Sequence, residues 1–173
     1  VGTNTDAGGF LQPLLRDKWS GRSATIIGAG GAARAILFAL ASLGVADIAV
    51  MARDPAKAQA LLDRAGVAGR AMSLDGPPPP CDLLVNASPL GMVGQPPLTL
   101  DLATLPDTAS VYDIVYAPLD TPLLAAARAR GLKTIDGLEM LIGQAALAFD
   151  IFFDAQPPRE RDAELRALLL AAG

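Results

Sequence analysis

A glycine-rich turn between an apolar strand and a helix constrains this chain more than any other feature. Residues 24–27 form a short apolar run, and apolar residues recur with helical spacing from Ala32. Between them Gly28, Gly30 and Ala33 match the pattern Gly-x-Gly-x-x-Gly/Ala of dinucleotide-binding turns. The first glycine permits a tight turn, the second lets backbone N–H groups approach a pyrophosphate, and the small third residue lets the helix lie close to the sheet. The pattern therefore predicts a nucleotide site at this helix N-terminus.

Six strand-length apolar runs are separated mostly by patterns with helical spacing. The predicted strands cover residues 24–27, 47–51, 70–74, 82–87, 110–116 and 133–136. Strands that alternate with helices predict an α/β fold with one doubly wound parallel sheet, and the glycine turn after the first strand favours the order 3-2-1-4-5-6. Ligands of such sheets bind at the carboxyl ends of the strands. We therefore expect one crevice to be surrounded by the loops at 28–33, 52–57, 86–92, 114–118 and 136–140.

The composition excludes several classes of function. A net charge of −4 gives no basic surface of the kind that binds nucleic acid. The chain has no histidine and only one cysteine, Cys81, which excludes histidine-centred catalysis, an internal disulfide and a zinc site built from cysteines. No carboxylate cluster suggests a metal site, and no apolar run has the length of a membrane span. We expect a cytoplasmic protein with no metal and no nucleic-acid or membrane partner.

Seven short segments at the predicted loops share their order and spacing with one enzyme family. They are residues 4–9, 28–33, 52–54, 86–92, 113–118, 121–124 and 137–144. Together they resemble the shikimate dehydrogenase family, which includes the quinate/shikimate dehydrogenases. The resemblance implies reversible hydride transfer between a nicotinamide cofactor and a hydroxyl or ketone on a cyclohexene carboxylate. It also implies a Rossmann-like fold for the sheet described above.

The resemblance implies how the chain is organised. It spans almost the whole chain, so residues 1–173 are expected to form a single dinucleotide-binding domain. In the family, the segment that resembles residues 4–9 follows a separate N-terminal substrate domain, at the hinge. Residues 1–19 and 137–173 are expected to carry helices that dock on that domain through exposed apolar side chains. Whether the chain forms a homodimer instead is left open.

The family's catalytic lysine belongs to that N-terminal domain. Lys18, Lys57 and Lys133 are the lysines of this chain, and none lies in a context that matches the catalytic one. The chain also begins at a valine and not at a methionine. We therefore expect a fragment that lacks the N-terminal domain and is inactive alone.

Three residues are implied to act on the substrate. By resemblance Asp6 is a catalytic residue that pairs with the lysine and hydrogen-bonds a substrate hydroxyl, while Tyr116 and Gln144 contact the substrate. A carboxylate can orient an ammonium group and tune its pKa for proton transfer. Spacing alone favours a different interpretation, in which Thr5 or Asp6 caps the first helix through a side-chain oxygen.

The cofactor is expected to bind at the glycine turn and after the second strand. The resemblance assigns the pyrophosphate to Gly28, Gly30, Gly31 and Ala32, and it also makes Ala29 a cofactor-binding residue. Arg53 can clamp an adenosine 2′-phosphate, and Lys57 adds a second positive charge one helical turn later. Asp54 stands where the NADP-type family pattern Asn-Arg-Thr has threonine, and a carboxylate there favours a free ribose 2′-hydroxyl unless it only caps the helix. Two cations against one acid favour NADP, with NAD or dual use left open.

The remaining cofactor contacts are implied along a path from the adenine ribose to the nicotinamide. They are Asn86, Ser88, Leu90, Met92, Ile114, Gly137 and Met140. The predicted function is thus the NADPH-dependent reduction of 3-dehydroshikimate to shikimate in aromatic amino-acid (chorismate) biosynthesis. Two alternatives stay open: an NAD-using quinate/shikimate dehydrogenase, and a stand-alone regulatory module that binds the cofactor without catalysis.

Overall fold

The six predicted strands form one parallel sheet in the computed structural model, which describes residues 4–172. The strands are β1 (Ser23–Ile27), β2 (Asp47–Ala52), β3 (Arg70–Ser73), β4 (Leu83–Asn86), β5 (Ser110–Asp113) and β6 (Lys133–Ile135). The order across the sheet is β3-β2-β1-β4-β5-β6, and all neighbours pair in parallel. The predicted fold and strand order are therefore confirmed. The order reverses between β1 and β4, so their carboxyl ends form the switch point where such sheets bind ligands.

In the part of the chain that the structure describes, six helices connect and cover the strands. They are α1 (Thr5–Arg16), α2 (Gly31–Ser42), α3 (Pro55–Ala65), α4 (Pro122–Ala129), α5 (Gly137–Phe153) and α6 (Asp162–Ala172), with a 3-10 turn at Arg159–Arg161 before α6. Between residues 4 and 172, no helix is both long and apolar enough to cross a bilayer.

Two predicted boundaries were wrong. The fifth strand ends at Asp113 and not at Tyr116, because the Asp113 carboxylate accepts the N–H of Val115 at 3.0 Å and turns the backbone away from the sheet. The cap of α1 is neither Thr5 nor Asp6. It is Asn4, whose Oδ1 accepts the N–H of Asp6 at 2.8 Å from an extended backbone. Asparagine caps helices as well as aspartate does, so the carboxylate of Asp6 is left for another use.

The core lies on both faces of the sheet. Successive strand residues point to opposite faces, so Ile26 and Val85 join the apolar cluster that includes α1 and α2, whereas Ile27 and Leu84 join the cluster that includes α4. All four side chains are fully buried. Each of these strands is buried on both faces, which explains why they are continuous apolar runs in the sequence.

Helices α1 and α5 run antiparallel with their backbones in contact. Gly8 lies against Leu147, while Arg16 pairs with Glu139 at 2.7 Å. A Cβ on Gly9 would lie 2.7 Å from the backbone nitrogen of Gln144, so any side chain there would push the helices apart. This close crossing fixes the start of α1 relative to the middle of α5.

One carboxylate joins the beginnings of β1 and β4. Asp82 Oδ2 accepts the N–H of Arg22 at 2.7 Å, the N–H of Ser23 at 3.0 Å and the hydroxyl of Ser23 at 2.9 Å. These hydrogen bonds, above all the one from Arg22, hold the pKa of the Asp82 carboxyl below its ordinary value. The charged form of Asp82 is therefore the one that stabilises the fold.

We expect Asp82→Ala to lower the free energy of unfolding at pH 7 by about 1–3 kcal/mol, because it leaves backbone donors without a partner. A lowered folded-state pKa contributes stability above the unfolded value of roughly 4, and that stability is lost as pH falls through the folded value. The wild-type protein should thus lose this stability below about pH 4, and the variant should not. Urea unfolding at pH 7 and in acid measures both. Asp107→Ala, which removes a side chain that is 93% exposed, is the control, and an equal loss in both variants would contradict the assignment.

Candidate functional site

A cleft of about 370 Å³ opens at the carboxyl ends of the strands, beside the switch point. Its walls come from the glycine turn after β1, from the end of β2 and the start of α3, and from the loop after β4. Of the predicted cofactor residues it brings together Gly28, Ala29, Gly30, Arg53, Asp54, Lys57, Ser88 and Leu90. Residues from three separate loops of the sequence prediction therefore share one cleft.

The glycines of this turn serve two different purposes. Gly28 has a φ of +106°, and a Cβ there would lie 3.0 Å from the carbonyl oxygen of Ala87. The protein itself therefore requires glycine at this position. By contrast, apart from the chain neighbours and the backbone of α2 itself, no atom of residues 4–172 lies within 4 Å of a Cβ built on Gly30 or Gly31. Side chains at these two positions would instead fill the open space above the turn, which is the space that a ligand needs.

The N-terminus of α2 faces this space without a side chain of its own to cap it. Gly30 is the N-cap and offers no side-chain acceptor, and the first turn, which includes Ala32, has no acidic residue. Its N–H groups and the positive end of the helix dipole are thus available to an anion. The open space and the available donors fit a pyrophosphate group.

The end of β2 places two cations and one acid at the cleft. Arg53 and Lys57 are both exposed, and within residues 4–172 neither forms an ion pair. Asp54 is the N-cap of α3, with its Oδ1 accepting the N–H of Ala56 at 3.0 Å, as the helix-cap interpretation predicted. Two cations that form no ion pair among the described residues fit a phosphate monoester.

The loop after β4 is built on a buried amide. Asn86 is fully buried, and its side chain makes hydrogen bonds with Ser88, Leu90 and Asp113. Its amide has no donor or acceptor left for a ligand, so the structure places Asn86 behind the cleft, in support of the loop. Ser88 and Leu90 line the cleft itself. Met92, which is 40% exposed, lies outside that lining.

Two predicted nicotinamide contacts have other neighbours in the structure. A Cβ on Gly137 would lie 2.3 Å from the carbonyl oxygen of Ile114 and 2.5 Å from that of Val115. The glycine thus permits a close approach to the protein backbone after β5, and its contact with a nicotinamide ring stays a prediction. Met140 is 6% exposed and belongs to the apolar core. Its side chain is packed by the protein, while Ile114 is only half-buried.

The predicted substrate residues lie on α1, on α5 and after β5. Asp6 is half-buried in the first turn of α1, and its carboxylate accepts no hydrogen bond within the described residues. Gln144 is half-buried on α5 against Gly9, which lies one turn after Asp6. Asp6 and Gln144 therefore lie on the same pair of packed helices, near the point where these helices cross. Tyr116 is 57% exposed and follows β5.

Within residues 4–172, no lysine lies near Asp6. Lys18 follows the far end of α1, about 18 Å along the helix at 1.5 Å per residue. Lys133 begins β6, at the amino end of the sheet, and pairs with Asp17 at 2.8 Å. Lys57 lines the cofactor cleft. The structure thus gives Asp6 no ammonium partner among the described residues.

Asp113 and Thr121 are buried polar residues linked to the loop of the cleft through Asn86, and reasoning from the sequence assigned them no role. Both are fully buried, and they hydrogen-bond each other at 2.7 Å. The one signal in the sequence is a carboxylate at the end of an apolar strand, where burial is costly unless the group is hydrogen-bonded.

Two family patterns match this chain. The pattern described as "Shikimate / quinate 5-dehydrogenase" matches residues 12–76, and that described as "Shikimate 5'-dehydrogenase C-terminal domain" matches residues 137–164. A protein of Sphingopyxis alaskensis named shikimate dehydrogenase (NADP(+)) is 60% identical over 171 residues, which are 99% of this chain and 62% of that protein. This chain therefore spans about three fifths of the length of the curated relatives it matches.

Solved structures agree with the sequence matches. The quinate dehydrogenase from Corynebacterium glutamicum in complex with NAD has a TM-score of 0.82 and 35% identity, over 94% of this chain and 61% of that one. The shikimate 5-dehydrogenase from Thermus thermophilus in complex with NADP(H) and shikimate has a TM-score of 0.79 and 37% identity, over 94% of this chain and 61% of that one. These two relatives bind different nicotinamide cofactors.

Proposed function

This chain belongs to the shikimate dehydrogenase family, and we propose that it is the NADP(H)-binding part of an enzyme that interconverts 3-dehydroshikimate and shikimate. The observation that carries the proposal is the cleft at the switch point. There an uncapped helix N-terminus and two cations free of ion pairs among the described residues face the same space. The reaction belongs to aromatic amino-acid (chorismate) biosynthesis.

The residues of the cleft divide the cofactor between them. The N–H groups at Gly30 and Gly31 hold the pyrophosphate, and Ser88 and Leu90 contact the part that runs toward the nicotinamide. When bound, NADP(H) supplies or accepts the hydride. The protein's own work is to orient the cofactor against the carbonyl or hydroxyl carbon of the substrate.

The preference for NADP over NAD rests on the end of β2. Arg53 and Lys57 supply two positive charges for the 2′-phosphate, and the guanidinium of Arg53 can bind it through two parallel hydrogen bonds. Asp54 opposes a phosphate by its charge, but one oxygen of its carboxylate is occupied by the Ala56 N–H. Two cations therefore outweigh one partly engaged carboxylate. This supports NADP as the main cofactor.

On the substrate side, Asp6 is the catalytic carboxylate. Reduction of a ketone produces an alkoxide that has to be protonated, and an ionised carboxylate cannot supply that proton by itself. Asp6 can instead orient an ammonium group and accept a hydrogen bond from a substrate hydroxyl. The lysine that carries this ammonium group is assigned to a part of the enzyme outside this chain, since no lysine among the described residues lies near Asp6. Gln144 and Tyr116 are assigned to substrate binding.

The surface for the rest of the enzyme is the apolar face at the C-terminal end of the chain. Its large exposed side chains are Phe149, Ile151, Phe152, Phe153, Leu165, Leu168, Leu169 and Leu170. Phe152 is 81% exposed and Phe153 is 67% exposed, which is unusual for phenylalanine in a stable monomer. We assign this face to contact with the substrate domain, with a homodimer as the competing occupant.

Titration of this chain with NADP⁺ and NAD⁺ tests the proposal. We expect dissociation constants in the micromolar-to-millimolar range, about tenfold tighter for NADP⁺, and no turnover of shikimate by the chain alone. Isothermal calorimetry gives the binding constants, and absorbance of the reduced cofactor gives the turnover. Tighter binding of NAD⁺ would favour the NAD-using alternative, and absence of any binding would overturn the proposal. Turnover by the chain alone would contradict the need for an external lysine.

A further inference from the structure

The last residue of β5, Asp113, is a fully buried carboxylate that accepts three hydrogen bonds. Its Oδ1 accepts the side-chain amide of Asn86 at 2.9 Å and the backbone N–H of Val115 at 3.0 Å, while its Oδ2 accepts the hydroxyl of Thr121 at 2.7 Å. No cation pairs with it among residues 4–172, and burial raises the pKa of the Asp113 carboxyl in spite of these bonds. A buried carboxylate without a cation is costly, so its position calls for an explanation.

On one side, Asp113 holds the loop of the cofactor cleft through Asn86. The Asn86 amide donates to Asp113 and, at 3.0 Å, to the carbonyl oxygen of Leu90. The side-chain oxygen of Asn86 accepts the N–H of Ser88 at 3.0 Å and the hydroxyl of Ser88 at 2.7 Å. All hydrogen-bonding groups of this amide are used. Asp113 therefore determines how the amide, and with it Ser88 and Leu90, are oriented.

On the other side, Asp113 holds the segment that carries Tyr116. Val115 donates its N–H to Asp113, and Thr121 donates its hydroxyl to it. Thr121 is also the N-cap of α4, where its hydroxyl oxygen accepts the N–H of Leu124 at 3.3 Å. Both ends of the segment 115–121 are thus tied to one carboxylate.

We propose that Asp113 is a positioning residue that couples the loop at residues 88–90 to the segment 115–121. The coupling acts through two side chains, because Asp113 reaches Ser88 only by way of Asn86. If the proposed function holds, the first loop contacts the cofactor and the second contacts the substrate. Order imposed on one loop by its ligand then lowers the entropic cost of ordering the other.

Backbone hydrogen exchange on the ligand-free chain tests the coupling. Asp113→Ser retains a hydroxyl that can accept the Val115 N–H, as serine does in local turns, but it is too short to hold Asn86 and Thr121 as well. We expect the Ser88 amide to exchange about tenfold faster in this variant, while the Val115 amide changes little. Asp113→Asn keeps the size and one acceptor oxygen, and should restore much of the protection at Ser88.

Two further variants keep the test decisive. Leu132→Ala removes a buried side chain from the apolar cluster that includes α4. It controls for a general loss of stability, because it leaves the hydrogen bonds of Asp113 and Asn86 in place. Asn86→Ser is the reciprocal change, and should speed the exchange of the Val115 amide, whose N–H is bonded to Asp113 and not to the side chain of Asn86. It also serves if Asp113→Ser does not fold.

Binding of NADP⁺ gives a second measurement. Asp113 is buried behind the cleft, so it can affect the cofactor only through the loop. A Kd for NADP⁺ that rises about tenfold in Asp113→Ser but not in Leu132→Ala would support this action through the loop. Exchange at Ser88 that matches Leu132→Ala would overturn the coupling. The exchange measurement needs no ligand, so failure of the wild-type chain to bind NADP⁺ would refute the proposed function and leave this inference standing.

Discussion

In the full-length enzyme that we propose, replacing Asp6 by asparagine should lower kcat by about 100-fold or more, the usual size of a lost acid–base contribution. The substitution keeps the size of the side chain and removes the charge that we propose orients the ammonium partner. The Kd for NADP⁺ should stay the same, because Asp6 lies on α1 and not in the cofactor cleft. Steady-state kinetics with shikimate and a cofactor titration measure the two effects.

Asn4→Ala is the matched control for Asp6, because Asn4 is the cap that spacing had assigned to its neighbours. Its loss should cost about 1 kcal/mol of unfolding free energy, with kcat nearly unchanged. The opposite pattern, a loss of stability in Asp6→Asn with kcat intact, would mean that Asp6 is only structural.

Arg53→Ala should raise the Kd for NADP⁺ about 10- to 100-fold and leave the Kd for NAD⁺ within about twofold. A hydrogen bond to a charged group is worth about 1.5–3 kcal/mol, and only NADP⁺ has the 2′-phosphate. The weakened affinity should also depend less on salt, since one ion pair is lost. Calorimetric titration with both cofactors at two salt concentrations measures this.

Arg70→Ala is the control for Arg53, since Arg70 is an exposed arginine paired with Asp47 at 2.9 Å and does not line the cleft. Asp54→Asn is the complementary variant. Asparagine caps a helix as well as aspartate does, so α3 is retained while the charge that repels the phosphate is removed. NADP⁺ should then bind a few-fold tighter, about threefold. Equal weakening of both cofactors by Arg53→Ala would contradict a 2′-phosphate clamp.

Residues close in sequence carried most of what could be predicted. The strand order followed from the alternation of strands and helices with a glycine turn after β1, and Asp54 was a foreseeable cap because it stands directly before Pro55. The error at α1 has the same local origin, since Asn4, Thr5 and Asp6 can all cap and spacing does not rank them. Only the observed backbone shows which oxygen reaches the N–H group.

The sequence by itself determined the strand order of the sheet, the position of the glycine turn and the presence of two cations after β2. Each of these depends on residues that are neighbours in the sequence, whose conformational preferences act over one helical turn or one strand. Only the tertiary structure determined which residues contact each other across the fold. Asp113 meets Asn86 across two strands, Gly9 meets Gln144 across two helices, and Gly137 packs on the backbone of Ile114. These contacts depend on how close the elements approach, which is set by packing of the whole core. The glycine turn determines where a nucleotide can bind, while packing of the core determines which side chains surround that nucleotide.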